Sequence, residues 1–156
     1  MMKRRFLIQA FASMAGATLA APALMAQTKP MVEVWKDPSC GCCKDWVKHL
    51  ESSGFQVKVN DSGNTAARTR LGVPEKLSSC HTAQVAGYAI EGHVPARDVQ
   101  RLLKERPKVI GLTVPGMVVG SPGMDGPDYK GRKDAYDVLL IKADGSTAVY
   151  QSYKRA

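Results

Sequence analysis

Cysteine carries most of the chemistry in this chain, and three of its four cysteines fall within four positions: Cys40, Cys42 and Cys43, in SCGCCKDW. Two thiols in a C-x-x-C frame make a disulfide switch or one half of a tetrahedral metal site. A third sulfur between them spoils the simple version of either. The fourth, Cys80, precedes His81 in SSCHTAQV, and His93 stands in EGHVP ahead of a helical pattern. Met117 and Met124 add thioethers in the Gly/Pro-rich stretch PGMVVGSPGM, off any helical stripe. Cys40, Cys42, Cys43, Cys80, His81, His93, Met117 and Met124 are therefore the candidate ligands of a metal site. Zinc would more naturally use two C-x-x-C frames or their histidine equivalents, and only one frame is present.

The same residues carry plainer readings. Cys40 and Cys43 also make an ordinary dithiol, Cys40 attacking and Cys43 resolving, with Cys42 spare. Structural disulfides are a third reading, although a chain of this length buries a core without them. A lone cysteine such as Cys80 is commonly a core residue, and His93 also fits a histidine at the start of a helix. His49, two turns along the first helix from the cysteines, reads as a surface residue, and Trp35 and Trp46 as core packing.

An α/β alternation must hold these groups. MVEVW (31–35) alternates as a strand does, and Asp37 and Pro38 end it. Cys43, Val47 and Leu50 then share one helical face beside Trp46, with Gly54 where a helix commonly stops. FQVKV (55–59) is a second strand and NTAARTRLG (64–72) a short helix. TAQVAGYAI (82–90) reads as a third strand or a hairpin, and PARDVQRLLKE (95–105) as a helix with Pro95 at its start. Residues 106–136, with Pro107, Pro115, Pro122 and Pro127 among six glycines, read as one long loop of a functional or mobile kind. YDVLLI and TAVYQ around KADGS close the chain as a β-hairpin.

Lys3, Arg4 and Arg5 open the sequence, an uncharged Ala-rich stretch follows, and Ala21, Ala23 and Ala26 offer cleavage sites, so residues 1–26 read as an export signal. KRRFLI resembles a twin-arginine signal, with the general secretory route as the alternative. The stretch lacks the long Leu/Ile/Val run of a membrane span. Removing its three basic side chains lowers the formal charge from +8 to +5 on residues 27–156, which read as one domain. The remaining basic residues are scattered, not striped, which argues against a nucleic-acid partner.

Strand, C-x-x-C turn and helix in succession resemble the thioredoxin arrangement, with Cys42 in place of the proline of C-G-P-C and with Cys80 and His81 where a thioredoxin carries its later proline. SCGCCKDWVKHL, LGVPEKLSSCHTAQVAGYAIEGHVP, GLTVPGM and GSPGM, in this order, are similar to the periplasmic copper-resistance family of CopG type. That resemblance implies a thioredoxin-like fold with a central mixed sheet flanked by helices and a C-terminal β-hairpin. It implies copper ions as the partner, alongside other periplasmic copper-handling proteins, and no membrane insertion once the signal is removed. It also assigns the C-x-C-C cysteines to Cys40, Cys42 and Cys43 and the Cys-His pair to Cys80 and His81. Copper would be held as Cu(I), with Cu(II) in an oxidised form and a copper-linked oxidoreductase activity left open. Soft Cu(I) suits four thiolates and two thioethers, and bridging thiolates suit a multinuclear centre.

Overall fold

The computed structural model describes residues 28–155. The expected export signal lies outside them. Strand β1 (Met31–Lys36) turns through Asp37–Ser39 into helix α1 (Gly41–Ser52), followed by β2 (Gln56–Asn60) and the short helix α2 (Thr65–Arg70). A 3-10 turn at Glu75–Leu77 leads into β3 (His81–Val85) and β4 (Tyr88–Glu91). Helix α3 (Ala96–Glu105), β5 (Gly111–Thr113), β6 (Tyr136–Ile141) and β7 (Thr147–Tyr153) complete the chain.

The strands form one mixed sheet in the order β2-β1-β3-β4-β5-β6-β7. β1 runs parallel to β2 and antiparallel to β3, and β3 and β4 form the hairpin that TAQVAGYAI left open. Its two-residue turn, Ala86-Gly87, has positive φ at both positions, the geometry that matches the twist of paired strands.

Strand alternation sorts the side chains onto two faces. Val32, Val34, Ala83, Val85, Ile90 and Leu112 meet Trp46, Val47 and Leu50 of α1 and Val99 and Leu102 of α3 in the main core. Each such aliphatic side chain contributes about 1.5–3 kcal/mol when fully buried. Ala89 and Ile141 face the other way, onto Val73 and Leu77. The core therefore clamps α1, and with it the cysteine turn, against the ends of β1 and β3.

Three expectations are corrected. Residues 106–136 are not one loop, because Gly111–Thr113 inserts as β5 between β4 and β6. Three residues are too few to show a period, and Gly111 lacks a Cβ because one would lie 1.7 Å from the Ala89 carbonyl oxygen. Trp35 is only half-buried, on the opposite face from Val34, with the Arg70 guanidinium 4.7 Å from its ring centroid. His49 is not a surface residue. It is half-buried, and its Nε2 accepts the Ala96 N–H at 3.0 Å, satisfying a free donor at the start of α3.

Candidate metal centre

Cys40 is the N-cap of α1, and Cys42 and Cys43 lie in its first turn, so all three sulfurs sit at the positive end of the helix dipole. Cys43 points into the core and Cys42 outward. Cys40 and Cys43 are joined by a disulfide, with Cys42 and Cys80 free. Cys42 Sγ lies 3.6 Å from Cys40 Sγ and 3.9 Å from Cys80 Sγ, and Cys43 Sγ lies 3.7 Å from the Cys80 carbonyl oxygen. The start of β3 therefore brings Cys80 directly opposite the cysteine turn. Two sulfurs bound to one ion at about 2.3 Å, with tetrahedral to trigonal angles, stand roughly 3.8–4.0 Å apart. The Cys42–Cys80 separation already matches that span.

Behind the sulfurs lie two fully buried imidazoles. Cys80 Sγ is 3.3 Å from His81 Nδ1 and 3.1 Å from His93 Nε2. The rings of His81 and His93 meet edge to face with centroids 4.9 Å apart, and His81 leans on Trp46 at 4.3 Å. Trp46 is held in turn by its indole N–H donating to the Val94 carbonyl. His93 Nδ1 lies 2.8 Å from the Pro122 carbonyl, so Nδ1 carries the proton and Nε2 keeps its lone pair toward Cys80. His81 Nε2 is buried with no hydrogen-bond partner among the described residues.

Burial sets the charge states. It holds the His81 imidazole well below its usual range, helped by His93, and lowers His93 as well, so both rings are neutral and able to ligate. Burial, and then the neighbouring Cys42, push the Cys80 thiol up to about 12. A buried thiol of that kind gives up its proton to a metal ion, not to water. Two donor groups result, Cys40-Cys42-Cys43-Cys80 and Cys80-His81-His93, with the ligand atoms of each within 4.8 Å of one another. Cys80 belongs to both. The donor set fits a soft ion.

Residues 77–124 match a family described as "Protein of unknown function, DUF411". No curated protein matches the chain. Two solved structures do, both of a copper resistance protein CopG, in its form 1 and form 2. Each is 45% identical with a TM-score of 0.73, and the match covers 80–81% of this chain and 98–99% of theirs. The chain belongs to the CopG-type copper-resistance family.

In this member of the CopG-type family, the α/β fold with a mixed sheet and C-terminal hairpin agrees with the expectation. The fold brings together all six of the expected cysteine and histidine ligands: Cys40, Cys42, Cys43, Cys80, His81 and His93. The two methionines differ in setting. Met124 is buried and its sulfur accepts a hydrogen bond from the Tyr129 hydroxyl at 3.1 Å, whereas Met117 is 57% exposed. The loop before Met124 lies directly on the cysteine turn, since a Cβ at Gly123 would sit 2.6 Å from the Cys42 carbonyl oxygen. The Pro122 carbonyl that orients His93 was not legible beforehand. Only SPGM, a tight turn ahead of a methionine, pointed to that stretch at all. No helix among the described residues is long and apolar enough to cross a membrane.

Proposed function

We propose that this chain is a periplasmic protein, exported by residues 1–26, that binds Cu(I) on its cysteine turn, Cys80 and the two buried histidines, and sequesters or transfers it. The observation that carries this reading is the sharing of Cys80 between a sulfur group and an imidazole group. Together they offer more soft donors than one linear or trigonal Cu(I) needs. Adjacent Cys42 and Cys43 are poorly placed to chelate a single ion, which favours bridging thiolates and more than one copper. Met117 and Met124 belong to the proposed set as outer thioethers. A βαβ unit followed by a β-hairpin and a helix, with the cysteine turn at the first helix start, supports the thioredoxin-like description. The Cys40–Cys43 disulfide and full copper loading are alternative states of the same sulfurs. A two-electron reductant of the dithiol class must open the disulfide before both thiolates can bind metal.

The disulfide also favours a second reading, a thiol–disulfide oxidoreductase. There the Cys40 thiolate attacks a substrate disulfide and expels one substrate thiolate. The Cys43 thiolate then attacks Cys40 Sγ in the mixed disulfide and expels the second substrate thiolate, so the substrate gains two electrons and the Cys40–Cys43 bond forms.

Anaerobic Cu(I) titration of reduced residues 27–156 with metal counting separates the readings. More than one Cu(I) per chain, with weak competition from zinc, is expected. A plateau at one equivalent removes the multinuclear part, equal competition by zinc removes the copper preference, and disulfide reduction unaffected by a chelator moves the oxidoreductase ahead.

A further inference from the structure

Three buried or half-buried polar side chains outside the donor set converge on one residue, Ser79. Glu91, fully buried at the end of β4, takes the Ser79 N–H at 2.7 Å and Arg68 Nε at 3.1 Å on Oε1, and the Thr82 hydroxyl at 2.6 Å on Oε2. Arg68 of α2, also buried, directs Nη2 to the Ser79 carbonyl at 3.1 Å and Nη1 to exposed Glu75. Asn64 stands at the N-cap of α2, where its side chain would ordinarily bond the helix's own N–H groups. It makes no such bond and donates instead to the Ser79 carbonyl at 3.1 Å and the Thr82 hydroxyl at 3.2 Å. The Ser79 hydroxyl donates to the Gly116 carbonyl. Both backbone groups and the side chain of Ser79 are thus held, and the next residue is Cys80.

A buried ion pair is a weak source of stability, because desolvation offsets most of its attraction. Its position explains it better than its strength. Glu91 is followed by Gly92, whose N–H donates to the His81 carbonyl at 3.0 Å, and then by His93. One carboxylate therefore ties the start of β3, which carries Cys80 and His81, to the end of β4, from which His93 emerges. The join has no slack, since a Cβ at Gly92 would meet Ser79 Oγ at 2.5 Å and the Val114 carbonyl oxygen at 2.6 Å.

We infer that Arg68, Glu91 and Asn64 are positioning residues for the metal centre, fixing Ser79 so that Cys80 Sγ stands between Cys42 and His93. The inference rests on the copper reading above for its consequence, but not for its geometry. Outer residues that hold metal ligands cost roughly 10–100-fold in affinity when removed.

Three variants test it. Arg68→Met with Glu91→Leu removes both charges together and so leaves neither one uncompensated. Glu91→Gln keeps an acceptor for the Ser79 N–H, and Asn64→Ala trims one donor at a helix start. Iodoacetamide alkylation of Cys80 and Cys42 is followed by peptide mapping in the metal-free protein carrying the Cys40–Cys43 disulfide. Cu(I) affinity is measured after reduction against a chromophoric Cu(I) chelator, and the denaturant midpoint is recorded alongside. In the paired variant Cys80 should be alkylated about tenfold faster with Cys42 unchanged, and Cu(I) affinity should fall about 10–100-fold. Glu91→Gln should stay within about threefold of wild type, and Asn64→Ala should fall between the two. Unchanged Cys80 rates overturn the inference, as does parallel acceleration of Cys42 and Cys80 that tracks the midpoint, which is general loosening. If the paired variant does not fold, Asn64→Ala decides alone by the same alkylation ratio. A wild-type chain that takes up no Cu(I) sinks the copper reading, and the alkylation rates still decide the positioning.

Discussion

The cysteine turn and the imidazole pocket lie side by side and are built on opposite principles. Cys40, Cys42 and Cys43 come from one stretch of four residues at the start of a helix, with Cys40 and Cys42 partly open to solvent. His81 and His93 come from the start of one strand and from just past the end of another, are fully buried, and have their ring orientations fixed by Trp46 and the Pro122 carbonyl. The turn can change its bonding, since Cys40 and Cys43 form a disulfide that a reductant opens into two thiolates. The pocket cannot rearrange without disturbing the core. Cys80 is the point of contact, half-buried and within 4 Å of Cys42 on one side and of both imidazoles on the other.

If Cys80 joins the two regions, removing it should do more harm than removing any other single donor. Cys80→Ser is expected to lower Cu(I) affinity by more than about 100-fold, beyond what loss of an outer residue costs. The check is competition with a Cu(I) chelator, with His93→Ala as the comparison. A smaller loss than His93→Ala produces would mean that the regions act separately.

The turn alone is tested by Cys42→Pro, which restores C-G-P-C. Proline is tolerated in the first turn of a helix, so the denaturant midpoint should shift by no more than about 1 kcal/mol in stability. Copper capacity should drop, and Cys40–Cys43 should form a cleaner reversible disulfide in glutathione buffer, because the neighbouring thiol that could divert it is gone. Full copper retention would make the middle sulfur incidental and favour the oxidoreductase.

How much of this was legible beforehand follows the same division. The cysteine turn was readable because its residues are adjacent and its helix has a clear apolar face in Cys43, Trp46, Val47 and Leu50. The order and type of most elements were readable for the same reason. What escaped was whatever depends on contact between distant segments. β5 is three residues long and begins at a glycine whose value lies in a missing Cβ. His49 acts on a helix 47 positions later, and Trp35 faces Arg70 and not the core. Arg68 looked like one more scattered basic residue, and nothing in ARTR announces a partner in Glu91.

The pocket has a pH signature that the turn lacks. His81 and His93 are depressed by burial in the folded state, whereas in the unfolded chain they titrate near 6.5. Below that pH the unfolded chain binds more protons, so stability is fully present above about 6.5 and is lost as pH falls through it. The slope is up to about 1.4 kcal/mol per pH unit for each imidazole. Denaturant titrations of the metal-free protein between pH 8 and 5.5 should show this decline, to which half-buried His49 also contributes, and His93→Ala should remove roughly a third of it. Cys80, held up to about 12, stays protonated in the folded state, and because its unfolded thiol titrates at about 8.5 it adds only a small opposing slope at the top of that range.

The claim that one copper site spans both regions is tested most directly by X-ray absorption at the copper edge on the anaerobically Cu(I)-loaded chain. Sulfur and imidazole nitrogen should appear together in the copper coordination shell, with the imidazole signal lost in Cys80→Ser and reduced in His93→Ala, where His81 remains. A shell of sulfur alone, unchanged by His93→Ala, would contradict it.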